Sequence, residues 1–122
     1  MLVSKESNSM DFDHDHYEKL YPELRQFFGG YFHQDWAYIY NWQGEPPSFQ
    51  VVVRDFKTNN SQAIVAQVTQ ELEQFIADHL TLEDDWDLGE IVNHKLLSCI
   101  YAPGLGLTYR QWLTEILTIL QD

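Results

Sequence analysis

A chain of 122 residues, 44% of them apolar, is long enough for one domain, which buries about two-thirds of the surface its unfolded chain exposes. Nineteen acidic against seven basic side chains give a formal net charge of −12, which repels nucleic-acid phosphates and anionic membranes, so direct binding to either is not expected. The same charge favours a basic protein as partner, although acidity that serves only solubility is common.

Residues 1–16 are polar and turn-rich and read as a tail, with 17–122 as the domain. The N-terminus holds no signal-peptide core, and nowhere do about 18 apolar residues run together, so the expectation is a soluble, cytoplasmic protein. Asp11, Asp13, His14, Asp15 and His16 offer imidazole and carboxylate, the ligand types of zinc or non-haem iron. Adjacent side chains of an extended tail point apart, however, and no His or Cys pair at helical spacing completes four ligands, so neither metal nor cofactor is expected.

The first helix begins at Pro22, a favoured first helical position, with Glu18 and Glu23 near the positive end of its dipole. Leu20, Leu24, Phe27, Phe28, Tyr31 and Phe32 fall in one arc at about 100° per residue. Gly29-Gly30 interrupts them, as a break or as a site of close backbone packing. At the exit, His33 and Asp35 have the residue types of an acid–base pair. The sequence supplies neither a Ser or Cys nucleophile at a recognisable elbow nor a phosphate-binding glycine loop, so helix-end hydrogen bonding and capping are the expected roles. A small hydrolase using His33 and Asp35 is the weaker alternative, and the chain is read as no enzyme.

Asn41 to Pro47 is a turn cluster. After it Phe49, Val52, Val53 and Phe56 recur at i, i+3, i+4 and i+7, which predicts a helix against the strand propensity of Val51-Val52-Val53. Asn59-Asn60-Ser61 separates it from a third helix, whose stripe is Ile64, Val65, Val68, Leu72, Phe75, Ile76 and Leu80. His79, in that stripe, is expected to be hydrogen-bonded and half-buried. Gln67, Glu71, Gln74 and Asp78 form a polar strip at the stripe's edge.

Thr81 with Asp84 three residues on reads as a capping-box variant that opens a fourth helix, weakened in its middle by Gly89. The Leu96 to Tyr101 run either extends that helix or forms a strand, and Ala102 to Gly106 is a turn. Cys99, the single cysteine, forms no intrachain disulfide; beside Leu96, Leu97 and Ile100 it is expected to be a small core residue. Thr108 with Gln111 is a capping box for the last helix, in which Tyr109, Trp112, Leu113, Ile116, Leu117 and Leu120 share a face. The fold class is therefore all-α: a compact single-domain bundle of about five helices, with the first, third and last forming the core.

Glu83-Asp84-Asp85-Trp86-Asp87 is the candidate functional surface. Four like charges within five residues repel one another unless a basic partner compensates them, and helix-dipole complementation needs only one or two. Trp86 would be the aromatic anchor inside a charged rim, with Glu71 and Asp78 on a second strip alongside.

Two blocks, Tyr21-Pro22-Glu23-Leu24 through His33-Gln34-Asp35-Trp36 and Tyr109-Arg110-Gln111-Trp112-Leu113, resemble the opening and closing motifs of the all-helical immunity proteins of bacterial contact-dependent growth inhibition systems. The resemblance implies a stoichiometric inhibitor of one cognate toxin's C-terminal domain. With the acidity of this chain, that toxin is expected to be basic, as many nucleases are. A small acidic adaptor or regulatory module that binds another basic protein fits the same surface and would lack toxin specificity.

Overall fold

In the computed structural model, residues 16–39 and 42–122 are described, and among them no strand occurs. Helix α1 spans Pro22–Tyr31 and opens on proline as expected. Its N-cap residue, Tyr21, provides no side-chain cap; instead Glu71 Oε1, from a helix 47 residues on, accepts the Leu24 N–H at 2.9 Å. A carboxylate buried at the positive end of a helix is stabilised by both the hydrogen bond and the dipole. Residues 16–20 are also helical, but the chain breaks at Tyr21, where φ is −131°. The break rephases the apolar face: Tyr21 is 1% exposed, whereas Leu20, expected in the arc, is 45% exposed.

The glycine pair does not break α1, which runs through it to Tyr31. Nor does close packing require it: a Cβ on Gly30 would meet nothing within 4 Å, and one on Gly29 would make ordinary contact with Leu97 at 3.4 Å. A short α2, Trp36–Ile39, follows. Helix α3, Phe49–Asn59, is helical in spite of its valines, because Phe49, Val52, Val53 and Phe56 all bury on one side. Ser48 caps it by accepting the Val51 N–H at 3.3 Å. Ser61 caps α4, Gln62–Asp78, in the same way through Ile64.

The α4 helix ends at Asp78, so Leu80 lies beyond the stripe it was expected to complete and is exposed. His79 is the C-cap, half-buried, with its ring bonded to Phe75 O at 2.7 Å and Tyr17 Oη at 2.8 Å. Helix α5 spans Asp85–His94, a 3-10 turn covers Ala102–Leu105, and α6 spans Tyr109–Gln121 with the Thr108–Gln111 capping box fully formed.

Helix α6 is the hub, packing against α3, α4 and α5, while α1 packs on α4. Trp112 stands where these faces converge. Its ring stacks on Phe28 with centroids 5.4 Å apart and meets the edge of Phe32 at 5.3 Å and Phe49 at 6.2 Å. The expected core of first, third and last helices corresponds to α1, α4 and α6, joined by α3.

Residues 97–100 are neither helix nor strand. Leu97 turns the chain with a φ of 66°, and Leu96, Ser98 and Ile100 are buried while Leu97 and Cys99 are exposed. Cys99 is thus not a core residue; its backbone N–H donates to Phe32 O at 2.8 Å while its thiol points outward. Asn93 holds the segment through Ile100, donating to its carbonyl at 2.9 Å and accepting its N–H at 3.2 Å. No helix among the described residues is long and apolar enough to cross a membrane.

Candidate functional site

The acidic run falls where α4 hands over to α5. Thr81 lies in a turn and caps nothing; Asp84 is the N-cap, accepting the Trp86 N–H at 2.9 Å. Asp85 is half-buried and serves a different helix: its Oδ2 accepts the Tyr109 N–H at 2.8 Å and its Oδ1 the Arg110 N–H at 3.1 Å, at the first turn of α6. Two of the four carboxylates therefore have internal work, each at the positive end of a helix. That accounts for half of the charge concentration that the sequence alone leaves unexplained.

Glu83 and Asp87 are different. Both are exposed, and neither bonds to any described residue. Between them Trp86 is 58% exposed, in contrast to the buried Trp36 and Trp112. One turn further along, Glu90 is exposed and pairs with His94 Nε2 at 2.8 Å. Glu90 was missed by attention to the contiguous run, although its i+4 and i+3 relation to Trp86 and Asp87 puts it on the same flank. Leu88, Gly89 and Val92 on the opposite side bury against the core. The outer face of α5 is thus an indole among three carboxylates, the composition of an interface anchor with a charged rim.

The second strip contracts. Glu71 is 4% exposed and faces α1; its Oε2 accepts from Gln67 Nε2 at 2.8 Å while Oε1 holds the Leu24 N–H. It belongs to the interior and cannot meet a partner. Its angular position, about 20° from Ile64 on a helical wheel, was the available signal. Asp78 stays exposed, accepting hydrogen bonds from Tyr21 Oη and, at 2.7 Å, from Gln74 Nε2. The bond from Tyr21 holds the Asp78 carboxyl below its ordinary value, while burial, reinforced by that bond, pushes the Tyr21 phenol well above its own.

His33 and Asp35 share a turn, but not as an acid–base pair. The His33 Nδ1 accepts the backbone N–H of Asp35 at 3.1 Å, and the Trp36 N–H donates to His33 O at 2.9 Å. The imidazole thus orders the entry to α2, and the Asp35 carboxylate does not touch it. The Asp11 to Asp15 part of the tail lies outside the described residues, and no group of three potential metal ligands occurs among the described ones.

A family model described as CdiI immunity protein matches residues 20–120, a span that takes in α1 and nearly all of α6. No curated protein and no solved structure matches the chain.

Proposed function

Because the chain belongs to the CdiI immunity protein family, we propose that it neutralises one cognate contact-dependent growth inhibition toxin by stoichiometric binding. In this reading the outer face of α5, with Glu83, Trp86, Asp87 and Glu90 and with Asp78 at its edge, meets a basic surface of the toxin's C-terminal domain, such as the substrate cleft of a nuclease. Substrate is kept out for as long as the complex lasts, and no turnover or cofactor is needed. The observation that carries the proposal is the exposed indole of Trp86 flanked by Glu83 and Asp87, two exposed carboxylates that bond to no described residue. Such a patch gives a charge-steered encounter and then a desolvated anchor.

The variant Glu83→Gln/Asp87→Asn/Glu90→Gln tests it. Asp84 and Asp85 are left alone, because removing caps confounds binding with folding. Association with the cognate toxin domain should slow on the order of tenfold at low ionic strength, with a flatter dependence on salt. Association slopes equal to those of the natural protein would place recognition on another face. Protection against this toxin domain, with none against unrelated ones, separates an immunity protein from a general acidic adaptor.

His33→Ala and Asp35→Ala should leave protection of toxin-expressing cells intact, since both residues shape a turn. Growth arrest with either variant, in a protein that folds and is as stable as the parent, would restore the hydrolase reading.

A further inference from the structure

The loop that delivers Glu83, Asp84 and Trp86 to the surface has little of its own to hold it. Between the end of α4 and the start of α5, residues 79–84 bury no side chain fully, and Leu80, Thr81, Glu83 and Asp84 are exposed. Its own backbone supplies three turn hydrogen bonds, His79 N–H to Ile76 O at 3.3 Å, Leu80 N–H to Ala77 O at 3.4 Å and Leu82 N–H to His79 O at 3.2 Å. All three are at the long end for such bonds. His79 is anchored by its ring, to Phe75 O at 2.7 Å and Tyr17 Oη at 2.8 Å, and the middle of the loop is held from outside: Arg110 Nη2, on the first turn of α6, donates to His79 O at 3.0 Å and to Leu82 O at 2.9 Å. One guanidinium nitrogen thus ties the terminal carbonyl of α4 to the middle of the loop. A cation there also complements the negative end of the helix. The backbone of the same residue is held by Asp85 at 3.1 Å, so loop and helix start are fastened from both sides to one turn of α6.

We propose that Arg110 is a positioning residue for partner recognition: by bridging His79 O and Leu82 O it sets the loop before encounter, so that Glu83 and Trp86 meet the partner in one geometry. The proposal rests on the reading that the α5 face contacts the toxin. Ordering a loop during binding subtracts from affinity, and a loop ordered beforehand avoids that loss.

The test variant is Arg110→Met, which keeps an apolar stem and removes every donor. It makes the net charge one unit more negative, so weaker binding to a basic partner cannot come from lost steering. Arg110→Lys is the conservative control: Lys57 shows in this fold that an ammonium can serve two carbonyls, donating to Ile119 O at 2.8 Å and Asp122 O at 2.7 Å. The probe is the purified toxin domain against which the chain protects. In Arg110→Met, amide hydrogen exchange at Leu80 and Leu82 should quicken about tenfold or more. Kd, measured well below the unfolding transition, should rise about tenfold, equivalent to about 1.4 kcal/mol, with a less favourable binding entropy. Arg110→Lys should restore most of both.

Lower stability with exchange and Kd unchanged would make Arg110 a fold residue only. Faster exchange with unchanged Kd would show that loop order does not matter to binding. Weaker binding with unchanged exchange would make Arg110 a direct contact; each of these outcomes overturns the proposal. The triple α5 variant keeps the two levels apart. If its association is unaltered, the α5 face is not the contact; if it slows while Arg110→Met binds normally, the positioning role alone fails.

Discussion

Trp112→Ala should destabilise the protein by about 3–5 kcal/mol, the range for emptying a buried aromatic site. The side chain is fully buried on α6 and touches rings from α1 and from the start of α3, with Phe32 on a third side. Truncation would open a cavity walled by rigid aromatics, which collapse poorly onto empty space. Its Nε1–H meets no acceptor among the described residues, so Trp112→Phe sacrifices no hydrogen bond and should cost about half as much or less. Urea denaturation of both variants decides the matter. A loss below about 1 kcal/mol for the alanine variant, the range of surface changes, would mean that α6 does not pack as described.

Gly89→Ala has the second large effect, and helix propensity gets its sign wrong. An alanine inside an exposed helix is worth about 1 kcal/mol over glycine. Here the added Cβ would lie 2.3 Å from Cε2, 2.6 Å from Cδ2 and 2.7 Å from Cζ of Tyr109. That ring is buried and cannot swing aside freely, because its hydroxyl donates to Ile100 O at 2.8 Å. The substitution should therefore destabilise by about 1–3 kcal/mol through overpacking. Combining it with Tyr109→Ala should cost clearly less than the two single losses added, since removing the ring removes the clash. Additive losses, or a stabilised Gly89→Ala, would show that α5 and α6 stand further apart.

Much of what depends on near neighbours could be read from the sequence, although the Thr81–Asp84 capping box did not form and Gly29-Gly30 neither breaks α1 nor packs closely. Pro22 opens a helix, Phe49 to Phe56 bury at helical spacing, and Thr108 with Gln111 makes a capping box, because each signal lies within one or two turns. Other errors lie where a distant group intervenes. Glu71 reads as a surface carboxylate until α1 arrives without a cap of its own. Asp85 reads as one more charge of a binding patch until Tyr109 and Arg110 dock on it from 24 and 25 residues away. Cys99 reads as core because its neighbours are apolar, but α5 has ended before it, and the segment that follows the turn at Leu97, where φ is 66°, buries Ser98 and Ile100 and leaves Cys99 outside. Leu20 and Leu80 fall outside their stripes because each lies past a helix end that periodicity does not mark. For the candidate site, the exposure of Trp86 was legible; which of the neighbouring carboxylates have internal partners was decided by tertiary contacts.

Helix α5 leans chiefly on α6, through Leu88, Gly89 and Val92, and its other side faces solvent. Outward positions such as Glu83, Trp86, Asp87 and Glu90 can then be exchanged without disturbing what holds the bundle together, whereas Asp84 and Asp85, adjacent in sequence, cannot. Surface substitutions of the first kind change stability little. With the α5 face as the proposed toxin contact, a lineage that must follow a drifting adversary could rewrite this face residue by residue while inheriting the rest of the molecule unaltered.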